Sequence, residues 1–171
     1  MARQQHRLHG DPHRFEVLAA FIAERFGRNV RYIADVAGGQ GMLSRVLAKK
    51  YNYVAEVIDP RGWVLKGVPN RPAEFTADLA EHYDLIVGLH PDEALRPVVL
   101  AARVRPVIVV PCCNFWSEER MGSTALVDGI AAYFRDQGIA CDRVTMAFAP
   151  PKNVALVAEP PARLGRRVPG V

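Results

Sequence analysis

The sequence predicts an α/β fold whose mostly parallel sheet has helices on both faces and ends in an antiparallel strand pair. Apolar strand-like runs alternate with amphipathic helical segments, the order that builds parallel sheets. Two runs, 83–90 and 105–111, are almost continuously apolar, as expected of strands buried on both faces. The last two strand-like segments, 142–149 and 153–160, are too close together for a crossover helix, so only antiparallel pairing is possible.

The first half of the sequence contains a leading helix followed by alternating strands and helices. Apolar residues recur at helical spacing after Asp11 and Pro12, which are typical of a helix start, and Gly27 is typical of a helix end. A short strand closed by Asp78 is expected to complete this half. The predicted segments are a helix over 11–27, a strand over 30–37, a helix over 41–51 and strands over 52–59 and 73–77.

The second half predicts two further helices between the remaining strands. The helix over 91–104 is expected to be kinked, or to start late, near Pro97, because proline disrupts a helix interior. Ser123 is expected to cap the next helix, which ends at Gly138.

Length and composition predict one domain over residues 1–171, with flexible basic ends at 1–10 and 162–171. Half of the 171 residues are hydrophobic, enough for one core, and the formal net charge is +4 with a sequence pI near 9.2. No apolar run is long enough to cross a membrane, and the first residues do not resemble a signal peptide. We therefore expect a cytoplasmic chain with no membrane partner. Its basic ends either contact phosphates or are solvated tails.

The three cysteines predict neither disulfides nor a metal site. Cys112, Cys113 and Cys141 are an odd number, and their spacing matches no metal-binding motif. A reducing compartment is the simplest interpretation.

A glycine-rich turn, "DVAGGQG" at 35–41, follows the first predicted strand. Glycines at such a turn let the backbone pass close beneath a ligand, and an acid after the next strand, here Asp59, can accept hydrogen bonds from ribose hydroxyls. The alternative is that the glycines only form a tight turn and that Asp59 is a solvated loop acid.

This arrangement resembles the class I S-adenosylmethionine-dependent methyltransferases over about residues 15–160. In their first motif, Asp35 would be the acid, Gly39 and Gly41 the second and third glycines, and Ala37 would replace the first. The resemblance implies a three-layer, Rossmann-like methyltransferase fold and S-adenosyl-L-methionine as cofactor. The cofactor-binding residues it implies are Asp35, Ala37, Gly38, Gly39, Gly41, Asp59, Pro60, Asp78, Leu79, Gly88, Leu89 and His90.

Two segments after strands four and five resemble one branch of these enzymes. "GLH" at 88–90 and "PCC" at 111–113 are similar to a branch in which some members are linked to RNA modification. Here "HPDE" replaces the cysteine and glycine that several relatives have after the histidine. The catalytic candidates at these segments are His90, Asp92, Cys112, Cys113 and Asn114.

Each catalytic candidate has a structural alternative. His90 is either a general base, oriented by Asp92 or Glu93, or part of the pocket wall. Asp92 is more simply expected to cap the next helix. Cys112 or Cys113 lies where cytosine-5 RNA methyltransferases have a nucleophile, but the proline–cysteine that those enzymes carry after strand four is missing, which favours a packed, inert pair.

The sequence is compatible with more than one class of methyl acceptor. RNA, either tRNA or rRNA, is favoured by the basic charge, by the resemblance and by Asn114, Phe115 and Trp116, which can either contact a flat base or anchor a loop. A small-molecule acceptor is nearly as well supported. His13 and Arg14 can contact the cofactor carboxylate or a phosphate, and Lys152 can contact a phosphate; the alternative for all three is solvation. The other interpretations are an S-adenosylmethionine-binding scaffold subunit and an NAD-dependent oxidoreductase.

Overall fold

The computed structural model describes residues 10–161, which form one seven-stranded sheet and four α-helices. The strands are β1 (Tyr32–Val36), β2 (Val54–Ile58), β3 (Asn70–Arg71), β4 (Leu85–Leu89), β5 (Val107–Val110), β6 (Ala140–Thr145) and β7 (Val154–Glu159). The helices are α1 (Arg14–Phe26), α2 (Met42–Tyr51), α3 (Leu95–Ala101) and α4 (Ser123–Asp136). The predicted flexible ends lie almost wholly outside the described residues.

The sheet order is β3-β2-β1-β4-β5-β7-β6. Strands β1 to β5 pair in parallel, and β7 runs antiparallel to both β5 and β6. The predicted fold class, including the antiparallel terminal pair, is confirmed. The strand order reverses between β1 and β4, which is the position where open α/β sheets bind ligands at their carboxyl edge.

Apolar side chains fill both faces of the sheet. Leu18 of α1 and Leu47 of α2 are fully buried on one face. Val98 of α3 and Phe134 of α4 are fully buried on the other. The helices therefore form two outer layers, and the ends of the central strands remain open for a site.

Two predicted features of the first half of the chain differ in the structure. The strand expected over 73–77 is wrong, because the edge strand is the two-residue β3, and residues 77–82 form a 3₁₀ segment. Pro72 follows β3 directly and has no N–H to continue the ladder. Phe75, within the expected strand, is buried against the core of the α3 and α4 face.

The predicted N-terminal caps at Ser123 and Asp92 are also wrong, whereas Gly27 ends α1 as predicted. Gly122, not Ser123, precedes α4, and no side-chain cap hydrogen bond forms there. Asp92 begins a 3₁₀ turn without capping it. Pro97 neither kinks nor interrupts α3, because the helix starts late, at Leu95, and a proline in the first turn removes no intrahelical hydrogen bond.

Candidate active-site cleft

A cleft of about 750 Å³ lies at the carboxyl ends of β1 and β4, a size typical of small-molecule and cofactor sites. The glycine-rich turn forms its floor, and the β6–β7 connection forms the opposite wall. The chain segment before α1 completes it, because the Ala149 N–H donates to the Asp11 carboxylate over 2.9 Å. Its polar and aromatic lining includes Asp11, Arg14, Phe15, Asp35, Gln40, Arg61, Trp63, His90, Asp92, Cys112, Phe148 and Lys152.

The glycine-rich turn has a left-handed backbone at three positions. The φ angles are 54° at Ala37, 57° at Gly39 and 79° at Gly41. Ala37 therefore has a backbone conformation that glycine adopts more readily. This agrees with its position, because the motif that this turn resembles usually has a glycine there. At Gly38 a Cβ atom would lie 2.5 Å from the Asp35 carboxyl carbon, so that position has no room for a side chain.

Asp35 holds this turn against α2. Its carboxylate is 1% exposed and accepts hydrogen bonds from the Ser44 hydroxyl over 2.8 Å and the Ser44 N–H over 3.2 Å. Burial raises the pKa of Asp35 to about 6. The Asp35 carboxyl group therefore fixes the turn against the start of α2. It is mostly protonated in weakly acidic solution and carries little charge there.

Asp59 follows β2 and lies behind the cleft lining, bonded to Gly39 and Arg61, which do line it. Its carboxylate, 2% exposed, accepts from the Gly39 N–H over 3.0 Å and from Arg61 Nε and Nη2 over 2.9 and 2.6 Å. Burial raises the pKa of Asp59, but the hydrogen bonds and charge of Arg61, with the Gly39 amide, leave it below its usual value. Asp59 is therefore ionised at neutral pH. Arg61 bonds to the carboxylate oxygens that the sequence predicted would accept hydrogen bonds from ribose hydroxyls.

His90 lies at the end of β4 with a backbone φ of 57°. Its Nε2 atom is 2.8 Å from the Lys152 carbonyl oxygen, which only accepts, so Nε2 carries the proton and Nδ1 carries the lone pair. Burial lowers the pKa of His90, which keeps the ring neutral at pH 7. The partner that orients the ring is the Lys152 main chain, because the carboxylate of Asp92 bonds to Cys112 instead.

The two adjacent cysteines differ in their environments. The Cys112 thiol donates to Asp92 Oδ1 over 3.0 Å, and burial, with Asp92 nearby, raises its pKa to about 12. Cys112 is thus a poor nucleophile at neutral pH. Cys113 is exposed, so the expectation of a packed, inert pair is wrong for it.

Asn114 stabilises its own loop. Its amide oxygen accepts from the N–H groups of Trp116 and Ser117, and its amide nitrogen donates to the Glu119 carbonyl. Trp116 packs edge-on against Tyr133 with ring centroids 5.0 Å apart. This loop lines a separate shallow groove with Arg96, so the amide of Asn114 is engaged outside the main cleft.

The structure brings some of the predicted cofactor residues to the cleft and leaves others out. Asp35, Ala37, Gly38, Gly39, Leu89 and His90 line it. Others do not line it, namely Gly41, Asp59, Pro60, Asp78, Leu79 and Gly88, although Asp59 contacts the lining residues Gly39 and Arg61. A Cβ atom at Gly41 would meet Val57 and Val68, and one at Gly88 would meet Pro91, so these glycines permit close packing instead.

Several cleft residues were not predicted from the sequence, and three of them are large side chains that bear on ligand binding. Arg61 and Trp63 come from the loop after β2, and Phe148 from the β6–β7 connection. Trp63 is 64% exposed, and a tryptophan in a loop that follows an acid-ended strand is a signal that sequence reasoning can use.

Solved structures with the same architecture include methyltransferases. The sugar N-methyltransferase KedS8 from a Streptoalloteichus species is 13% identical, with a TM-score of 0.52 over 94% of this chain and 99% of its own. The 16S rRNA methylase ArmA is 14% identical, with a TM-score of 0.52 over 85% of this chain and 82% of its own. This chain has the class I methyltransferase fold.

A third structure with this fold contains a cofactor product. The Burkholderia thailandensis 1,6-didemethyltoxoflavin-N1-methyltransferase, with bound 1,6-didemethyltoxoflavin and S-adenosylhomocysteine, is 11% identical, with a TM-score of 0.50 over 85% of this chain and 78% of its own. No family model matches the sequence, and no curated protein matches it. Over residues 10–161, no helix has the length and apolar character needed to span a membrane.

Proposed function

We propose that the protein is an S-adenosyl-L-methionine-dependent methyltransferase. The observation that carries the proposal is the meeting of the glycine-rich turn with Asp59 at the carboxyl edge of a methyltransferase-type sheet. The Gly39 N–H donates to Asp59 over 3.0 Å, so the turn and the acid form one unit. The last strand of the described residues, β7, is reversed and lies between β5 and β6, which distinguishes this fold from that of dinucleotide-dependent dehydrogenases.

The described residues fit such a cofactor. Gly39 lines the cleft with a left-handed backbone and no side chain, which lets the main chain approach the amino-acid and ribose portions closely. Asp59 is an ionised acceptor suited to ribose hydroxyls once the Arg61 side chain, which is 61% exposed, turns away. The guanidinium of Arg14, which lines the same cleft, suits the cofactor carboxylate.

The bound cofactor would supply an activated methyl group for in-line transfer, which demands mainly positioning. His90 would take the proton of an oxygen or nitrogen acceptor at Nδ1, because Nε2 already donates to Lys152. Neither Cys112 nor Asn114 is needed for this chemistry. We therefore favour proton removal by His90 over covalent attack by a cysteine.

We favour RNA as the acceptor. Three basic side chains, Arg14, Arg61 and Lys152, line the cleft beside the exposed indole of Trp63. Basic groups contact phosphates, while exposed aromatic rings stack on unpaired bases. A small-molecule acceptor fits the same cleft, because Trp63 can stack on any flat ring.

RNA binding is tested by titrating a single-stranded RNA and a tRNA transcript at several salt concentrations. Phosphate contacts predict affinity that falls steeply as salt rises. Trp63→Ala is expected to weaken binding roughly tenfold at fixed salt, since stacking on one base contributes about 1–3 kcal/mol. Tyr32→Ala, which removes an exposed ring on β1, is the control and is expected to bind normally. RNA affinity that does not depend on salt, or a Trp63→Ala variant that binds RNA as tightly as the wild type, would exclude this mode of RNA binding.

A further inference from the structure

Three metal-ligating groups meet beside the cleft. One carboxylate oxygen of Asp92 and the sulfur atoms of Cys112 and Cys113 all lie within 4.8 Å of one another. The Cys112 sulfur is 3.0 Å from Asp92 Oδ1. Both Asp92 and Cys112 line the cleft wall, so the cluster faces the space in which a ligand would bind.

Sheet topology explains why residues 20 positions apart meet. Strands β4 and β5 are parallel neighbours, with Leu89 opposite Val110, so the segments that follow them leave the same edge of the sheet. Adjacent side chains of a strand point to opposite faces. Because β5 ends at Val110, Cys112 and Cys113 follow the strand, and their side chains need not point to opposite faces of the sheet. Their sulfur atoms lie within 4.8 Å of each other.

The backbone at Asp92 has an unusual conformation. Its φ is 45°, a value that residues other than glycine adopt only where the surrounding structure holds them. Pro91 is buried next to it, and the Cys112 thiol bonds to its carboxylate. The carboxylate is therefore held in place before any ligand binds.

We propose that Asp92, Cys112 and Cys113 bind one thiophilic divalent cation of the Zn²⁺ type. Two thiolates and a carboxylate are normal zinc ligands, and three protein ligands leave a fourth position open. That position would take water or a donor atom of a molecule bound in the cleft. On binding, the two thiol protons, including the one that Cys112 now shares with Asp92, pass to solvent, and no oxidation or reduction occurs.

This proposal is independent of the proposed methyl transfer. None of the three ligands belongs to the glycine-rich turn or to the Asp59 pair. Zinc binding can therefore be measured without S-adenosylmethionine. Asp59→Ala is expected to keep full zinc affinity, and Cys113→Ser is expected to keep full affinity for S-adenosylmethionine.

The test uses the untagged, chelator-treated full chain under a reductant that does not bind metal. Zn²⁺ is titrated in competition with a chromogenic chelator, and Co²⁺ is titrated while thiolate-to-metal absorption is recorded. We expect one ion per chain. Cys112→Ser and Cys113→Ser are each expected to weaken binding more than about tenfold and to reduce the thiolate absorption. Asp92→Asn is expected to weaken binding while the absorption remains.

Two controls separate this site from other metal-binding groups. Cys141→Ser changes the half-buried cysteine on β6 and is expected to bind Zn²⁺ normally. The triple substitution of His6, His9 and His13 by alanine removes the histidines near the start of the chain and should also leave binding intact. Melting temperatures confirm that each variant is folded. The proposal is wrong if no thiolate absorption forms, if folded Cys112→Ser and Cys113→Ser bind normally, or if the histidine variant loses the site.

Discussion

Two carboxyl groups at the carboxyl edge of the sheet, both almost fully buried, have opposite pKa shifts. Asp35 contacts only the neutral donors of Ser44, so burial dominates and raises its pKa to about 6. Burial also raises the pKa of Asp59, but the hydrogen bonds and charge of Arg61, together with the Gly39 amide, offset it and leave the pKa lowered. The first group is suited to hold the turn, and the second to accept hydrogen bonds from a ligand.

The shift at Asp35 predicts a specific pH dependence of stability. Because its folded-state pKa, about 6, exceeds the value of 3.8 for an exposed aspartate, the folded protein binds this proton more tightly. Asp35 therefore favours folding at low pH, and that advantage is lost as the pH rises from about 4 to 6. Asp35→Asn removes this titration.

The measurement is urea denaturation of the wild type and Asp35→Asn between pH 4 and 8. The free energy of unfolding of the wild type, relative to the variant, is expected to fall from pH 4 to 6 and then level off. The lowered pKa of Asp59 acts only below about pH 4, outside this window. A constant difference between the two proteins would contradict the assignment.

The pairing of Arg61 with Asp59 predicts the effect of removing the guanidinium. If ribose hydroxyls must replace Arg61, then Arg61→Ala removes a competitor and is expected to tighten S-adenosylmethionine binding by about threefold to tenfold, or roughly 1 kcal/mol. Calorimetric titration measures this change. Arg45→Ala, at an exposed position of α2, is the control and is expected to bind like the wild type. Weaker binding by Arg61→Ala would instead indicate that Arg61 contacts the cofactor.

At the scale of elements, the junction between β1 and α2 depends on glycines that serve different purposes. Gly38 makes room for the Asp35 carboxylate, whereas Gly41 lets the start of α2 lie against β2. A Cβ at Gly41 would approach Val68 Cγ1 to 2.7 Å and Val57 Cγ2 to 2.9 Å. Gly41 thus contributes to packing, although the motif implied a direct contact with the cofactor.

Gly41→Ala is expected to destabilise the protein by about 2–5 kcal/mol. The left-handed backbone accounts for about 1–2 kcal/mol, and overpacking against the two valines for about 1–3 kcal/mol. Gly138→Ala is the matched control, because Gly138 also has a positive φ, 67°, but no atom lies within 4 Å of the added Cβ. Urea denaturation should show a clearly larger loss for Gly41→Ala. Equal losses would exclude the packing contribution.

The sequence predicted most of the helices and strands. Apart from the β6–β7 pair, it did not predict which strands are neighbours in the sheet. Burial on both faces made β4 and β5 recognisable, and the short connection fixed the antiparallel pairing of β6 with β7. The two-residue β3 has no comparable signal, because its pattern is too short to show a period. The Asp92 and Cys112 contact depends on the register of β4 against β5, which no local pattern reveals.

At the scale of the whole molecule, the fold determines where chemistry is possible but not which acceptor is used. The strand order brings the ends of β1, β2, β4 and β5 to one edge, and the β6–β7 connection closes the cleft from the other side. The methyltransferases of known structure cited above are named for sugar, rRNA and toxoflavin-type acceptors on the same fold. The proposed methyl acceptor must therefore be sought through the cleft lining, and Trp63 is the first residue to test.

The central claim is that the glycine-rich turn and Asp59 bind S-adenosylmethionine. Calorimetric titration of the wild type and Asp59→Ala with S-adenosylmethionine, S-adenosylhomocysteine and NAD tests it most directly, with melting temperatures as the check on folding. We expect micromolar affinity of the wild type for the first two ligands, a loss of more than about tenfold in the folded variant, and no binding of NAD. Binding of NAD alone, or no binding of S-adenosylmethionine by the wild type, would contradict it.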